Sequence, residues 1–193
     1  MKIGYLGPEG TFTEQAAMQC VGKRQHECLV PIDSIDALVL ALQKEKIDAA
    51  VAPIDNSLRG EYRETVDGIE KYKFQIATTL ILNIHLAIGI HPKSKKETIT
   101  EIWSKDSALE QCSQYLNKNF QHALRKEVPS TAYAMKTIMK KNMNNVAAIG
   151  SEEGMNRYGL VVIDKQIENA SSKPATTQRT TGVLSRIVLA IAL

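Results

Sequence analysis

Three short segments concentrate the residue types that bind and polarise small molecules. The first is Gly7-Pro8-Glu9-Gly10-Thr11-Phe12-Thr13-Glu14, placed between the apolar run ending at Leu6 and the helix-like Gln15-Ala16-Ala17-Met18. Gly7 and Gly10 permit tight turns, and Thr11 or Thr13 suits a helix N-cap. Such a helix start offers unpaired N–H donors and the positive end of the macrodipole, which attract a carboxylate or phosphate. Its glycine spacing is not that of a dinucleotide fingerprint. The second, Pro53-Ile54-Asp55-Asn56-Ser57-Leu58-Arg59-Gly60, packs a carboxylate, an amide, a hydroxyl and a guanidinium behind the apolar run 49–52. The third, Val128-Pro129-Ser130-Thr131-Ala132, again sets hydroxyls at the mouth of a helix. Each alone reads equally well as an ordinary cap or an Asx-type turn. Together, at equivalent strand-to-helix junctions, they predict a pocket for a small anion.

The elements that must position these segments alternate along the chain. Apolar runs predict strands at 2–6, 27–30, 49–53, 80–90, 101–103, 146–149, 160–163 and 187–193. Ile35, Leu38, Val39 and Leu42 repeat at i, i+3, i+4 and i+7, as one helix face does. Ala108, Leu109, Cys112 and Leu116 do the same, as do Ala134, Met135, Ile138 and Met139. The methionines read as core filling. Strand–helix alternation predicts an α/β protein with mainly parallel or mixed sheets. The pattern divides into one lobe of residues 1–78 plus 185–193 and a second of 79–170, with 171–184 a polar loop. Ligands of open α/β sheets sit at the carboxyl ends of strands, so the three segments are expected to face a central cleft.

Composition narrows the function class. Hydrophobic residues are 44% and charged residues 23% of the 193, ordinary globular values. A net charge of +3, carried by scattered lysines without interleaved aromatics, argues against nucleic acid. Three cysteines, Cys20, Cys28 and Cys112, show no metal spacing, and Cys20 and Cys112 are expected to be buried thiols. Met1-Lys2 runs directly into a strand, and the longest apolar run, 80–90, carries Asn83, His85 and Gly89 and is too short to span a membrane. A cytoplasmic protein is expected. None of the four histidines, His26, His85, His91 and His122, falls in the three segments, and His85 is expected in the core or at a hinge.

The three segments also resemble a known family. Gly7 to Thr13 is similar to the opening signature of the prephenate dehydratase catalytic domain. Pro53 to Ser57, followed by Gly60, Thr65 and Asp67, resembles its Glu-Asn-Ser segment with Asp in place of Glu. Ser104, Ala108, Gln111 and Cys112 match the scaffold of its Ser-His-Pro…Gln-Cys segment, with Lys105 and Asp106 replacing His-Pro. Ser130-Thr131-Ala132, Ala147-Ala148-Ile149 and Tyr158-Gly159-Leu160 follow in order. The last hallmark, Thr-Arg-Phe before a final strand, corresponds to Ser185-Arg186-Ile187; a rival placement uses Arg179 with Thr177 or Thr180.

The resemblance implies two α/β lobes similar to type II periplasmic binding proteins, and conversion of prephenate to phenylpyruvate with loss of carbon dioxide and water. It implies no cofactor and no metal, because aromatisation drives the step. Ser185 would assist the leaving hydroxyl and Arg186 would pair with a carboxylate, with Asn56 beside them and Asp55 orienting its neighbours. Thr11, Ser57, Ser104, Gln111, Ser130 and Thr131 would hold the substrate. Relatives imply a homodimer or homotetramer, and a chain ending after the catalytic portion, without the ACT regulatory domain, implies no direct inhibition by phenylalanine. Two alternatives remain open at this point: a prephenate decarboxylase of the same fold that keeps the hydroxyl, and a non-catalytic binder of small carboxylates.

Overall fold

Residues 1–21, 28–57, 60–169 and 183–191 are described by the computed structural model. Over these residues the chain packs into two units, Met1–Asn83 with Leu184–Leu193, and Ile84–Val183.

The first unit is built on β1 (Ile3–Leu6), β2 (Leu29–Ile32), β3 (Ala49–Asn56), β4 (Gly60–Glu61), β5 (Gln75–Ile84) and β11 (Val183–Ile191). Among the described residues its sheet runs β2-β1-β3-β11-β5, with β4 paired to β3. β2, β1 and β3 are parallel and β11 returns antiparallel to β3. The parallel strands need crossovers, and α1 (Phe12–Val21) and α2 (Ile35–Gln43) supply them, with α3 (Arg63–Tyr72) following β4. The periodicity at Leu38 and Leu42 is the buried face of α2: both pack with Ile47, Ala50, Ala52, Phe74 and Ala190. Ser34 starts this helix by accepting the Ala37 N–H at 3.1 Å.

The second unit holds β6 (Ala87–Ile90), β7 (Glu101–Ser104), β8 (Leu124–Glu127), β9 (Val146–Gly150) and β10 (Val161–Lys165), in the order β10-β6-β9-β7-β8. β8, β7 and β9 are parallel, β6 runs antiparallel to β9, and β10 antiparallel to β6. Its helices are α4 (Asp106–Gln111), α5 (Ser113–Asn119), α6 (Thr131–Lys140) and α7 (Glu152–Tyr158). The methionine stripe of α6 lies in the core: Met135 and Ile138 are fully buried beside Ala148 and Met155. Gly150 allows that packing, since a Cβ there would meet Met135 Cε at 2.8 Å.

The sequence reading and the structure differ in several places. The single strand expected over 80–90 is two, β5 and β6, interrupted at His85-Leu86. There Glu168, whose side chain is 5% exposed, takes the Leu86 N–H at 2.8 Å and lies 2.8 Å from Nδ1 of the half-exposed His85. His85 thus hydrogen-bonds to Glu168 at the break, beside the boundary of the two units and outside the core. The helix face of Ala108 to Leu116 is also broken, into α4 and α5 at the buried Cys112. Asn169 fills the break: its N–H reaches the Gln111 carbonyl at 2.6 Å, and its side chain bonds the Gln114 N–H and the Ser113 hydroxyl. Helix ends need such partners. β8 escaped notice because Leu-Arg-Lys-Glu is exposed throughout and has no apolar period. Cys20, finally, is only partly buried.

Of the polar loop expected over 171–184, residues 171–182 lie outside the described residues, and 183 and 184 already belong to β11. Among the described residues no helix is long and apolar enough to cross a membrane.

Candidate active site

In the first unit, the carboxyl ends of β1, β2 and β3 lie at one edge of the sheet, and antiparallel β11 begins at that same edge. The loop after β1 is held from inside. Gly7 donates its N–H to the Ile32 carbonyl at 2.8 Å, and Gly10 adopts φ +86°, a left-handed backbone that only glycine takes without strain. Thr11 is the cap of α1: its Oγ1 accepts the Glu14 N–H at 3.3 Å and donates to the Leu6 carbonyl at 3.2 Å. Glu14, 6% exposed, completes the reciprocal arrangement by accepting the Gly10 N–H at 2.8 Å and the Tyr5 hydroxyl at 3.2 Å. The Thr-x-x-Glu spacing of a capping box carries this signal in the sequence, and the reading above passed over Glu14. One of the donors expected to meet an external anion is therefore met by the chain's own carboxylate.

The second segment is fixed by β11. Register pairs Ser185 with Asn56 and Arg186 with Asp55, and then shifts, so that β3 holds one extra residue, Ile54, against β11. Such a bulge re-aims the side chains beside it. Here it accompanies a compact cluster. Ser185, 6% exposed, donates its hydroxyl to the Asp55 carbonyl at 3.1 Å. The Arg186 guanidinium donates from Nε to Asp55 Oδ2 at 2.6 Å and from Nη2 to the same oxygen. The Asp55 carboxylate holds the Arg186 pKa above its ordinary value, so the guanidinium stays charged at every working pH. Below this cluster the buried Thr65 hydroxyl donates to the Pro53 carbonyl at 2.8 Å, tying α3 to the bulged stretch. Asn56 and Ser57 stand half-buried at the end of β3. Thr11 lies at the same edge of the same sheet.

In the second unit the corresponding edge carries the ends of β7, β8 and β9. Ser130 caps α6, accepting the Tyr133 N–H at 3.0 Å, with Thr131 half-buried beside it. Ser151, at the end of β9, caps α7 by accepting the Gly154 N–H at 3.0 Å. Ser104, wholly buried at the end of β7, donates to the Ile149 carbonyl at 2.8 Å and so couples β7 to β9. Gln111 closes α4, where its carbonyl receives Asn169. The sequence reading missed Ser151, although Ser-Glu-Glu-Gly after an apolar run is a start signal for a helix.

Thr11, Asp55, Asn56, Ser57, Ser185 and Arg186 thus share one sheet edge in the first unit, and Ser104, Ser130 and Thr131 one in the second, while Gln111 lies at the far end of α4. The rival trio Thr177, Arg179 and Thr180 lies outside the described residues. Among the described residues no three His, Cys, Asp or Glu side chains come together as a metal site.

Comparison with known proteins covers most of the chain. The prephenate dehydratase family model matches residues 3–177. A bifunctional chorismate mutase/prephenate dehydratase of Neisseria gonorrhoeae is 31% identical over 179 residues, 93% of this chain and 48% of that protein. Arogenate dehydratase 1 of Petunia hybrida is 29% identical over 173 residues, covering 89% of this chain and 40% of that one. The chain thus spans about half the length of the curated relatives it matches. A crystal structure of prephenate dehydratase with L-Phe from Arthrobacter aurescens superposes with a TM-score of 0.85 at 22% identity, over 100% of this chain and 60% of that one, which establishes the shared fold. On the family match, which extends from β1 to beyond β10, the chain belongs to the prephenate dehydratase family.

Proposed function

We propose that the chain catalyses the dehydration of prephenate, releasing carbon dioxide and water and forming phenylpyruvate. The observation that carries this reading is the Ser185–Asp55–Arg186 cluster at the shared edge of β3 and β11, in a chain of this family. In the reaction the ring carboxylate departs as carbon dioxide and its electron pair enters the ring. The ring hydroxyl departs and takes a proton, giving water. Aromatisation supplies the driving force, so the protein's task is to assist hydroxide departure and to place the carboxylate.

Ser185 is the assigned donor to the leaving hydroxyl. A serine is a weak free acid, so its contribution is an oriented hydrogen bond; its single proton, donated to the Asp55 carbonyl in the free chain, turns to the leaving hydroxyl when substrate binds. Arg186 is assigned to a substrate carboxylate, the partner a guanidinium fork suits best. Asp55 fixes the fork from one side. Asn56, Ser57 and Thr11 are assigned to substrate polar groups in the first unit, and Gln111, Ser130 and Thr131 in the second. Ser104 keeps its assignment to the substrate side of β7, where its bond to Ile149 makes it a brace for the strand end.

The test is a product assay. Purified chain is given prephenate while phenylpyruvate absorbance and carbon dioxide are followed together; in a parallel arm with arogenate, whose dehydration keeps the amino group, phenylalanine is followed with carbon dioxide. Dehydration requires the two products in equal amounts from prephenate. Carbon dioxide without phenylpyruvate identifies the decarboxylase alternative, and binding without either product identifies a carboxylate binder; each overturns the proposal.

A further inference from the structure

Shortly after β10, residues 167–169 form a strap that joins two breaks of the chain. Ile167, 4% exposed, donates its N–H to the Leu86 carbonyl at 3.0 Å, and Glu168 takes the Leu86 N–H and meets His85. These bonds hold the strap at the break between β5 and β6. Asn169 is directed at the other break, between α4 and α5. Its N–H reaches the Gln111 carbonyl at 2.6 Å. Its side-chain amide donates to the Glu110 carbonyl at 3.2 Å and to Ser113 Oγ at 3.0 Å, and its Oδ1 accepts the Gln114 N–H at 3.1 Å. One residue thereby bonds Glu110, Gln111, Ser113 and Gln114 together.

α4 needs such a clamp. Its six residues are too few for a helix to persist by itself, and its packing rests on the buried Ala108 and Leu109 in its middle. The helix leaves the sheet edge directly behind Ser104, and Gln111 ends it, about 8 Å further along at about 1.5 Å per residue. A small change of helix direction displaces that far end most. Of the groups at the break, the Cys112 thiol is wholly buried; burial first, and the Glu168 carboxylate second, push its pKa up, so it stays protonated and inert. Ser113 Oγ is taken by Asn169. The side-chain amide of the half-buried Gln111 forms no hydrogen bond among the described residues. Asn169 occupies the helix-end carbonyls onto which an idle amide could fold back.

We propose that Asn169 is a positioning residue for Gln111: it fixes the end of α4 so that the Gln111 amide is presented to an oxygen of the substrate. The inference rests on the assignment of Gln111 to prephenate made above.

The experiment is a double-variant cycle in steady-state kinetics on prephenate. Gln111→Ala and Asn169→Ala are each expected to raise KM roughly 2–10-fold, the equivalent of one neutral hydrogen bond, with kcat changed less. The double variant is expected to keep the KM of Gln111→Ala, because a residue that acts through Gln111 then has nothing to position. Asn169→Asp retains the acceptor for the Gln114 N–H and is expected to recover part of the loss. A merely structural loss lowers the folded fraction, and with it kcat, and leaves KM in place. If prephenate binds without forming phenylpyruvate, titration calorimetry on the same variants gives the same comparison in Kd, so that failure of the dehydration reading is told apart from failure of this one. Effects that multiply in the double variant overturn the proposal. So does an unchanged prephenate affinity in either single alanine variant, and a chain that binds no prephenate overturns both readings.

Discussion

The two units share one strand plan and furnish it with opposite chemistry. Each has three parallel strands followed by an antiparallel one and a fifth: β2-β1-β3-β11-β5 in the first unit and β8-β7-β9-β6-β10 in the second. β3 and β9 hold equivalent places, and so do β11 and β6. Where β11 begins, Ser185 and Arg186 lie against Asn56 and Asp55; where β6 begins, Ala87 lies against Gly150. The first unit therefore places an ion pair and a buried hydroxyl at the junction, and the second places small residues that let α6 settle close to the strand. Capping residues stand at equivalent helix starts in both, Ser34 after β2 and Ser130 after β8. The common plan yields helix starts at one edge. The antiparallel strand decides which edge can also handle charge.

The sharpest way to break this contrast is at β11. Ser185→Ala removes the proposed donor to the leaving hydroxyl, and kcat is expected to fall on the order of 10²–10⁴-fold, the range for one oriented acid or donor. Arg186→Ala follows, with kcat/KM reduced roughly 10–150-fold, since a hydrogen bond to a charged group is worth about 1.5–3 kcal/mol. Arg186→Lys is expected to recover little, because a lysine cannot reproduce the planar fork. Steady-state kinetics on prephenate measures all three. Full turnover by Ser185→Ala would show that the final hallmark lies elsewhere, with Arg179 and its neighbouring threonines the remaining candidates.

How far the sequence led here can be judged from particular residues. The helix faces of Leu38 and Leu42, and of Met135 and Ile138, were legible because burial imposes a 3.6-residue period on them. Thr11 and Ser130 were legible because caps have a short local code. Neither code reports which strand lies beside which. The adjacency of Arg186 and Asp55 spans 131 positions and depends on β11 entering beside β3, so only the family resemblance had suggested both residues belong to one site. The common strand plan of the two units was equally invisible, since it is a matter of order and direction and has no repeat in the residues. β8 shows the converse: a strand made by its neighbour β7, with nothing apolar in its own sequence except Leu124, which is itself exposed.

A second prediction concerns the loop after β1. Glu14→Ala leaves the Gly10 N–H and the buried Tyr5 hydroxyl without the partner they have here. A hydrogen bond to a charged group is worth about 1.5–3 kcal/mol, so a loss of that order is expected in urea unfolding. Because Thr11 sits on the same loop, KM for prephenate is expected to rise as well. A stability loss with KM unchanged would separate this loop from substrate binding.

The smallest effect is the most discriminating between the units. Ser34 and Ser130 make the same bond at equivalent helix starts, each accepting an N–H three residues on, at 3.1 and 3.0 Å. Replacing either by alanine is expected to cost about 1 kcal/mol of stability, as loss of an N-cap does. Only Ser130 is assigned to substrate. Ser34→Ala should therefore leave KM as it was, while Ser130→Ala should raise it several-fold with kcat reduced less. Urea unfolding and steady-state kinetics on the two variants provide the comparison, and each variant serves as the stability control for the other. If both alanines shift KM alike, the hydroxyl of Ser130 acts on the substrate only by holding α6 in place. If neither does, the second unit's share of binding rests on Thr131 and Gln111, whose side chains do not form the α6 cap bond.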